Sequence, residues 1–106
     1  MADLSRLSPY NIQDDLVRAE LYREIRAGGS DWTQYEIKPD EIFRPELAAY
    51  RFYGTDELKW VVLVAARLDD LREPLESGTV LLLPSSAWVR ERIKYYQDIE
   101  AKNATS

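Results

Sequence analysis

The chain contains no cysteine and no histidine. Without cysteine there is no disulfide framework of the kind that holds small secreted modules together. Zinc, haem and iron–sulfur sites built on Cys or His are excluded. So are Ser–His–Asp and Cys–His nucleophiles, and no imidazole can serve as an acid or base near neutral pH. An all-carboxylate site stays open but would need specific support. Positive charge is also short, with 14 Lys and Arg against 19 Asp and Glu and a formal net charge of -5. Nucleic acid and anionic membranes call for the opposite balance, so neither is expected as a partner. Long hydrophobic runs are missing. The longest, residues 60–66, falls far short of the ~20 residues that span a bilayer. Residues 1–6 carry no hydrophobic signal region, so the chain is expected to be made in a cytoplasm.

The 106 residues include 45% hydrophobic and 31% charged side chains, which indicates one small globular domain. A chain of this size hides about 65% of its unfolded surface, enough for one core. Aromatics reach 11%, with Trp32, Trp60, Trp88 and seven tyrosines. That is rich for so small a core, and some rings are expected to serve contacts with other chains. There is no repeat and no low-complexity tract.

The organisation reads as an N-terminal helical arm (1–31), a compact centre (32–84) and a C-terminal helix with its tail (85–106). In the arm, Ser8-Pro9 suits an N-cap followed by proline at the first helical position. Asn11 with Asp14 is an alternative start, and Gly28-Gly29 is the stop. At 100° per residue Ile12, Leu16 and Ala19 share one face, and Val17, Leu21 and Ile25 the opposite one. Two stripes would suit a helix wedged between two surfaces; with one stripe, the other side is simply exposed. In the centre, residues 32–37 alternate as a half-buried strand. Pro39-Asp40-Glu41 is a turn, and Arg44-Pro45-Glu46 opens a helix that ends at Gly54. Thr55 caps a second helix running to about residue 68. Residues 79–83 form an apolar strand stopped by Pro84. Ser85 or Ser86 caps a last helix carrying Trp88, Val89, Ile93 and Tyr96 on one face, and residues 101–106 are expected to fray. The two strands should pair antiparallel under the helices, an α+β core.

Candidate chemistry reduces to structural roles. Asp69, Asp70, Glu73 and Glu76 could suggest a cation site, but Arg67 and Arg72 interleave and favour local ion pairs. Asp14, Asp15, Glu20 and Glu24 lie beside Arg18 and Arg23 with salt-bridge spacing rather than across a cleft. Gly28-Gly29-Ser30 lacks the context of a phosphate loop and reads as a hinge. The run from Arg90 to Tyr96 mixes basic and aromatic residues and reads as an interface helix. No catalytic, metal or cofactor-binding residue is expected.

The stretch Tyr35-Glu36-Ile37-Lys38-Pro39-Asp40-Glu41-Ile42-Phe43 resembles the opening of a LysM domain. Ser77-Gly78-Thr79-Val80-Leu81-Leu82-Leu83-Pro84 is similar to its closing strand. The likeness covers about half the chain, from Tyr35 to Pro84. Within it, Tyr53-Gly54-Thr55-Asp56-Glu57-Leu58-Lys59-Trp60-Val61-Val62-Leu63 is similar to the helix start of LysM-like baseplate wedge and tail-hub proteins of contractile-tailed bacteriophages. That resemblance implies a βααβ core flanked by helices, acting as a structural joint in the virion tail baseplate without enzymatic activity or cofactor. Its partners would be other tail proteins, with several copies in a ring. Tyr10, Ile12, Leu16, Trp88, Tyr95 and Tyr96 are the expected partner contacts. The alternative is a peptidoglycan-binding LysM module gripping N-acetylglucosamine. Its two loops depart from the family pattern here, with Pro39-Asp40-Glu41 in one and the charged Arg67-Leu68-Asp69-Asp70-Leu71-Arg72 in the other. A third reading, a small enzyme or regulator on an unrelated fold, would need a shifted acid in a cleft.

Overall fold

In the computed structural model, residues 5–68 and 73–105 are described. Asp69, Asp70 and Arg72 of the acidic loop therefore lie outside the described residues. The elements are α1 (Asp15–Ala27), β1 (Thr33–Glu36), α2 (Pro45–Tyr53), α3 (Lys59–Ala65), β2 (Val80–Leu83) and α4 (Ser86–Thr105), a small α+β fold.

Ser8 is an N-cap, but of a short 3-10 turn, Pro9–Asn11, rather than of the long helix. Its hydroxyl accepts from the Tyr10 N–H at 3.2 Å. The chain then straightens at Ile12 (φ -92, ψ 104), which lets that side chain plunge fully into the core. Asp14 starts α1, its carboxylate accepting from the Leu16 N–H at 2.8 Å. Both expected starts thus lie before the actual one, and Ile12 is not on the helix. The second stripe dissolves: Leu16 and Ala19 are exposed, while Leu21 and Ile25 are buried and Val17 is half-buried. The helix packs on one face only.

β1 and β2 pair antiparallel, from Thr33 opposite Leu83 to Glu36 opposite Val80. Strand alternation sends Leu81 and Leu83 into the core and leaves Val80 and Leu82 outside. A two-stranded ribbon is marginal alone, and the helices supply the missing burial. α2 begins with Pro45 at its first turn and ends at Gly54, whose φ of 80 only glycine adopts freely. Thr55 then accepts from the Glu57 N–H at 3.2 Å and caps a 3-10 turn, Asp56–Leu58, that leads into α3. Val61, Val62 and Val64 make α3 the buried heart of the fold.

α3 stops at Ala65, three residues before the expected end. Arg67 takes a left-handed φ of 62. The Leu68 N–H reaches back to the Leu63 carbonyl (2.9 Å) and the Arg67 N–H to Val64 (3.0 Å). This is the Schellman closure, with arginine where glycine is usual. At the other end of the chain, Ser85 caps α4 by accepting from the Trp88 N–H at 3.1 Å. The helix continues to Thr105, through residues expected to fray.

α1 and α4 lie side by side and antiparallel. Near α1's start the Glu100 carboxylate accepts from the backbone N–H groups of Gln13 and Asp14. Near its end Arg92 pairs with Glu24. One hydrophobic cluster joins Leu21 and Ile25 of α1, Ile37, Leu58, Val62, Leu81 and Leu83 of the centre, and Val89, Ile93 and Tyr96 of α4. The two flanking helices are part of the core they were expected to extend from.

Candidate interaction surface

The expected contact residues do not form one patch. Leu16 (81% exposed), Tyr10 (62%) and Tyr95 (47%) stand in solvent. Ile12 is fully buried and Tyr96 nearly so, which corrects their assignment as contacts: their surface is already spent inside the chain. Trp88 is half-buried, meeting Trp32 edge-to-face with ring centroids 4.9 Å apart. The Arg18 guanidinium lies over the Tyr10 ring, 4.9 Å from its centroid.

At the seam of α1 and α4, Glu24 is the shared acceptor. The Tyr96 hydroxyl and the Arg92 guanidinium both donate to its Oε1. Burial pushes the Tyr96 phenol up, and its bond to Glu24 adds to the rise. The plane of Arg92 also covers the Tyr95 ring at 4.2 Å, a favourable cation–π arrangement. Among the described residues Arg92 Nε is buried without a partner. Arg90 and Lys94, on the other flank of α4, line a broad groove of about 890 Å³ with Arg6 and Asn11.

A second polar centre was not legible in the sequence. Glu41, expected in a turn, is fully buried. Its carboxylate accepts from the Lys38 N–H at 2.8 Å, from Arg51 at 3.0 Å and from the Tyr35 hydroxyl. Arg51 also grips Asp40 in bidentate fashion, at 2.9 and 2.6 Å. Burial pushes the Glu41 carboxyl up, but the bonds from Tyr35, Lys38 and Arg51 together hold it below the usual value. Burial, then the bond to Glu41, pushes the Tyr35 phenol up to about 12. Both carboxylate oxygens are occupied by protein donors, so this is a knot that pins the turn between β1 and α2. The only local signal was an acid two residues after Pro39, poised to reach back to the Lys38 N–H.

Two aromatic clefts complete the surface. One, about 450 Å³, is bounded by Tyr10, Tyr22, Trp60 and Leu63. The Trp60 N–H donates to the Leu7 carbonyl at 2.9 Å, fastening the N-terminal segment onto α3. The other, about 420 Å³, lies between Trp32, Trp88, Phe52 and Tyr53, with the Tyr53 hydroxyl donating to the Pro84 carbonyl at 2.7 Å. Among the described residues there is no cluster of three side chains able to hold a metal, and no helix long and apolar enough to cross a membrane. No protein-family model, no curated protein and no solved structure matches the chain.

Proposed function

We propose that this chain is a non-enzymatic structural protein of a contractile phage tail baseplate, with a LysM-like βααβ core, joining the hub or tube to neighbouring subunits in the virion. The observation that carries the reading is the set of large apolar side chains left in water: Tyr10 before α1, Leu16 on α1, Phe43 before α2, Tyr50 on α2, Val80 and Leu82 on β2, and Tyr95 on α4. They belong to several different elements around one small core, as suits a joint touching several neighbours. The likeness in residues 53–63 adds weight, because three of its residues have mechanical roles. Gly54 turns the chain, Thr55 caps the next helix, and Trp60 clamps the N-terminal segment.

The test is affinity purification of the tagged chain from its native lysate, with mass spectrometry of what accompanies it. Tail-tube, hub or baseplate proteins in fixed ratio are expected. Leu16→Ala with Tyr95→Ala should reduce their recovery while leaving the fold intact. Recovery of cell-wall fragments alone, or binding to purified sacculi, would overturn the reading in favour of a glycan-binding module.

A further inference from the structure

The cleft between Trp32, Trp88, Phe52 and Tyr53 lies where the start of β1, the end of α2, the end of β2 and the start of α4 meet. Four rings line it, together with polar side chains. Trp32 and Trp88 pack edge-to-face at 4.9 Å, and Phe52 and Tyr53 do the same at 4.7 Å. Gly29 makes the arrangement fit: a Cβ there would lie 2.5 Å from Trp32 Nε1 and 2.7 Å from its Cδ1. Backbone and indole are in direct contact, and any other residue would push the ring away.

The polar lining has one sign. Among the described residues Asp31 is its only charged side chain, and no lysine or arginine lines the cleft. Asp31 is exposed and, among the described residues, takes part in no ion pair or hydrogen bond. The other polar groups are partly committed, with Tyr53 donating to Pro84 and Ser85 accepting from Trp88. Among the described residues neither the Trp32 nor the Trp88 indole N–H has an acceptor, and neither is a buried orphan. The cleft thus offers four aromatic rings and one unneutralised carboxylate.

We infer that this cleft receives an arginine side chain from a partner protein. A guanidinium is planar, stacks on aromatic faces and donates two parallel bonds to a carboxylate. Asp31 supplies the carboxylate, and the rings beside it supply the aromatic surface. The acidic balance of the whole chain, net charge -5, favours a basic partner in the same sense. The inference deepens the assembly reading, from which it takes only that the arginine belongs to a protein.

The experiment is a titration of the ¹⁵N-labelled full chain with the capped tripeptide acetyl-Gly-Arg-Gly-amide, following the indole N–H resonances of Trp32 and Trp88. Both are expected to shift with a dissociation constant on the order of 10 mM, as suits one isolated side chain. Asp31→Asn should weaken the response about fivefold, the loss of one solvent-facing charge pair. Asp31 is exposed and unpartnered, so the variant should keep its melting temperature. The glutamine tripeptide should give no saturable shift. The inference is overturned if the arginine peptide shifts neither indole, if glutamine does as well, or if Asp31→Asn changes nothing. A response to N-acetylglucosamine in place of arginine would make the cleft a sugar site and overturn it too. The titration needs no tail protein, so its failure and the failure of the co-purification are separate results.

Discussion

Replacing Glu41 by glutamine tests the buried polar knot directly. The carboxylate takes three donors: the Lys38 N–H, the Arg51 guanidinium and the Tyr35 hydroxyl. A glutamine amide has one accepting oxygen and must turn its NH₂ group toward a donor. At least one charge-assisted bond, worth about 1.5–3 kcal/mol, is lost, and a buried donor is left facing another. Arg51 is not stranded, because Asp40 still holds it. The net cost should be ~3 kcal/mol, at the low end of what breaking a buried ion pair costs. In a domain of this size that lowers the melting temperature by ~12 °C or more. Asp40→Asn, at an exposed carboxylate, should lower it far less. The pH dependence follows from the depressed Glu41 carboxyl. Its contribution is complete above the unfolded value of 4.5 and is lost as pH falls through the lower folded value. Wild-type stability should therefore decline below about pH 4.5, and Glu41→Gln, with no proton to take up, should decline less steeply. Thermal and urea unfolding from pH 3 to 7 measure both effects. If Glu41→Gln costs under ~1 kcal/mol, or no more than Asp40→Asn, the knot does not stabilise the fold as argued.

Alkaline titration should destabilise the chain from the other side. Tyr35 is raised to about 12, so its contribution is complete below pH 10 and is lost between the two values, as phenolate absorbance and melting temperature would show together. Arg67→Gly relieves a left-handed arginine and should stabilise by ~0.5 kcal/mol, after the greater chain entropy of glycine is discounted; urea midpoints would detect it. Gly29→Ala drives a methyl into the Trp32 indole and should cost ~1–3 kcal/mol with altered near-ultraviolet dichroism. Gly54→Ala meets open space and should show only a conformational cost near 1 kcal/mol, with an unchanged tryptophan signal.

Much of the fold was legible because its signals are local. Gly54, Thr55, Pro84 and Ser85 end or start elements through their own backbone and side-chain chemistry, and each does so in the structure. The start of α1 was not, because Ser8-Pro9 and Asn11 are good caps as well as Asp14, the one used. The choice between them is made by Ile12, which reaches the core only from extended backbone. Arg67 misled for the opposite reason. It carries no breaking signal, and the end of α3 is imposed by closure onto Leu63 and Val64. Glu41 looked like a turn residue because Arg51, ten residues on, comes beside it only once α2 is built. An amphipathic stripe tells that α1 and α4 are packed, not against what. Ile12 and Tyr96 were therefore read as surface, while Leu16 and Tyr95 do face outward. Asp31 and the Trp32–Trp88 pair could not be seen together before β2 had carried α4 back beside residue 32.

The tie between the two flanking helices also bears on synthesis. The Tyr96 bond to Glu24 spans 72 residues, and the Glu100 bonds at the start of α1 span 86 and 87. At typical elongation rates of about 5–20 residues per second, α1 waits roughly 4–14 s for α4, which shares with α3 the covering of its buried face. For that interval the side of α1 that meets α4 lies open while the centre of the chain is being made. A holdase that binds apolar helices has its opportunity then, and the translation of α4 ends it.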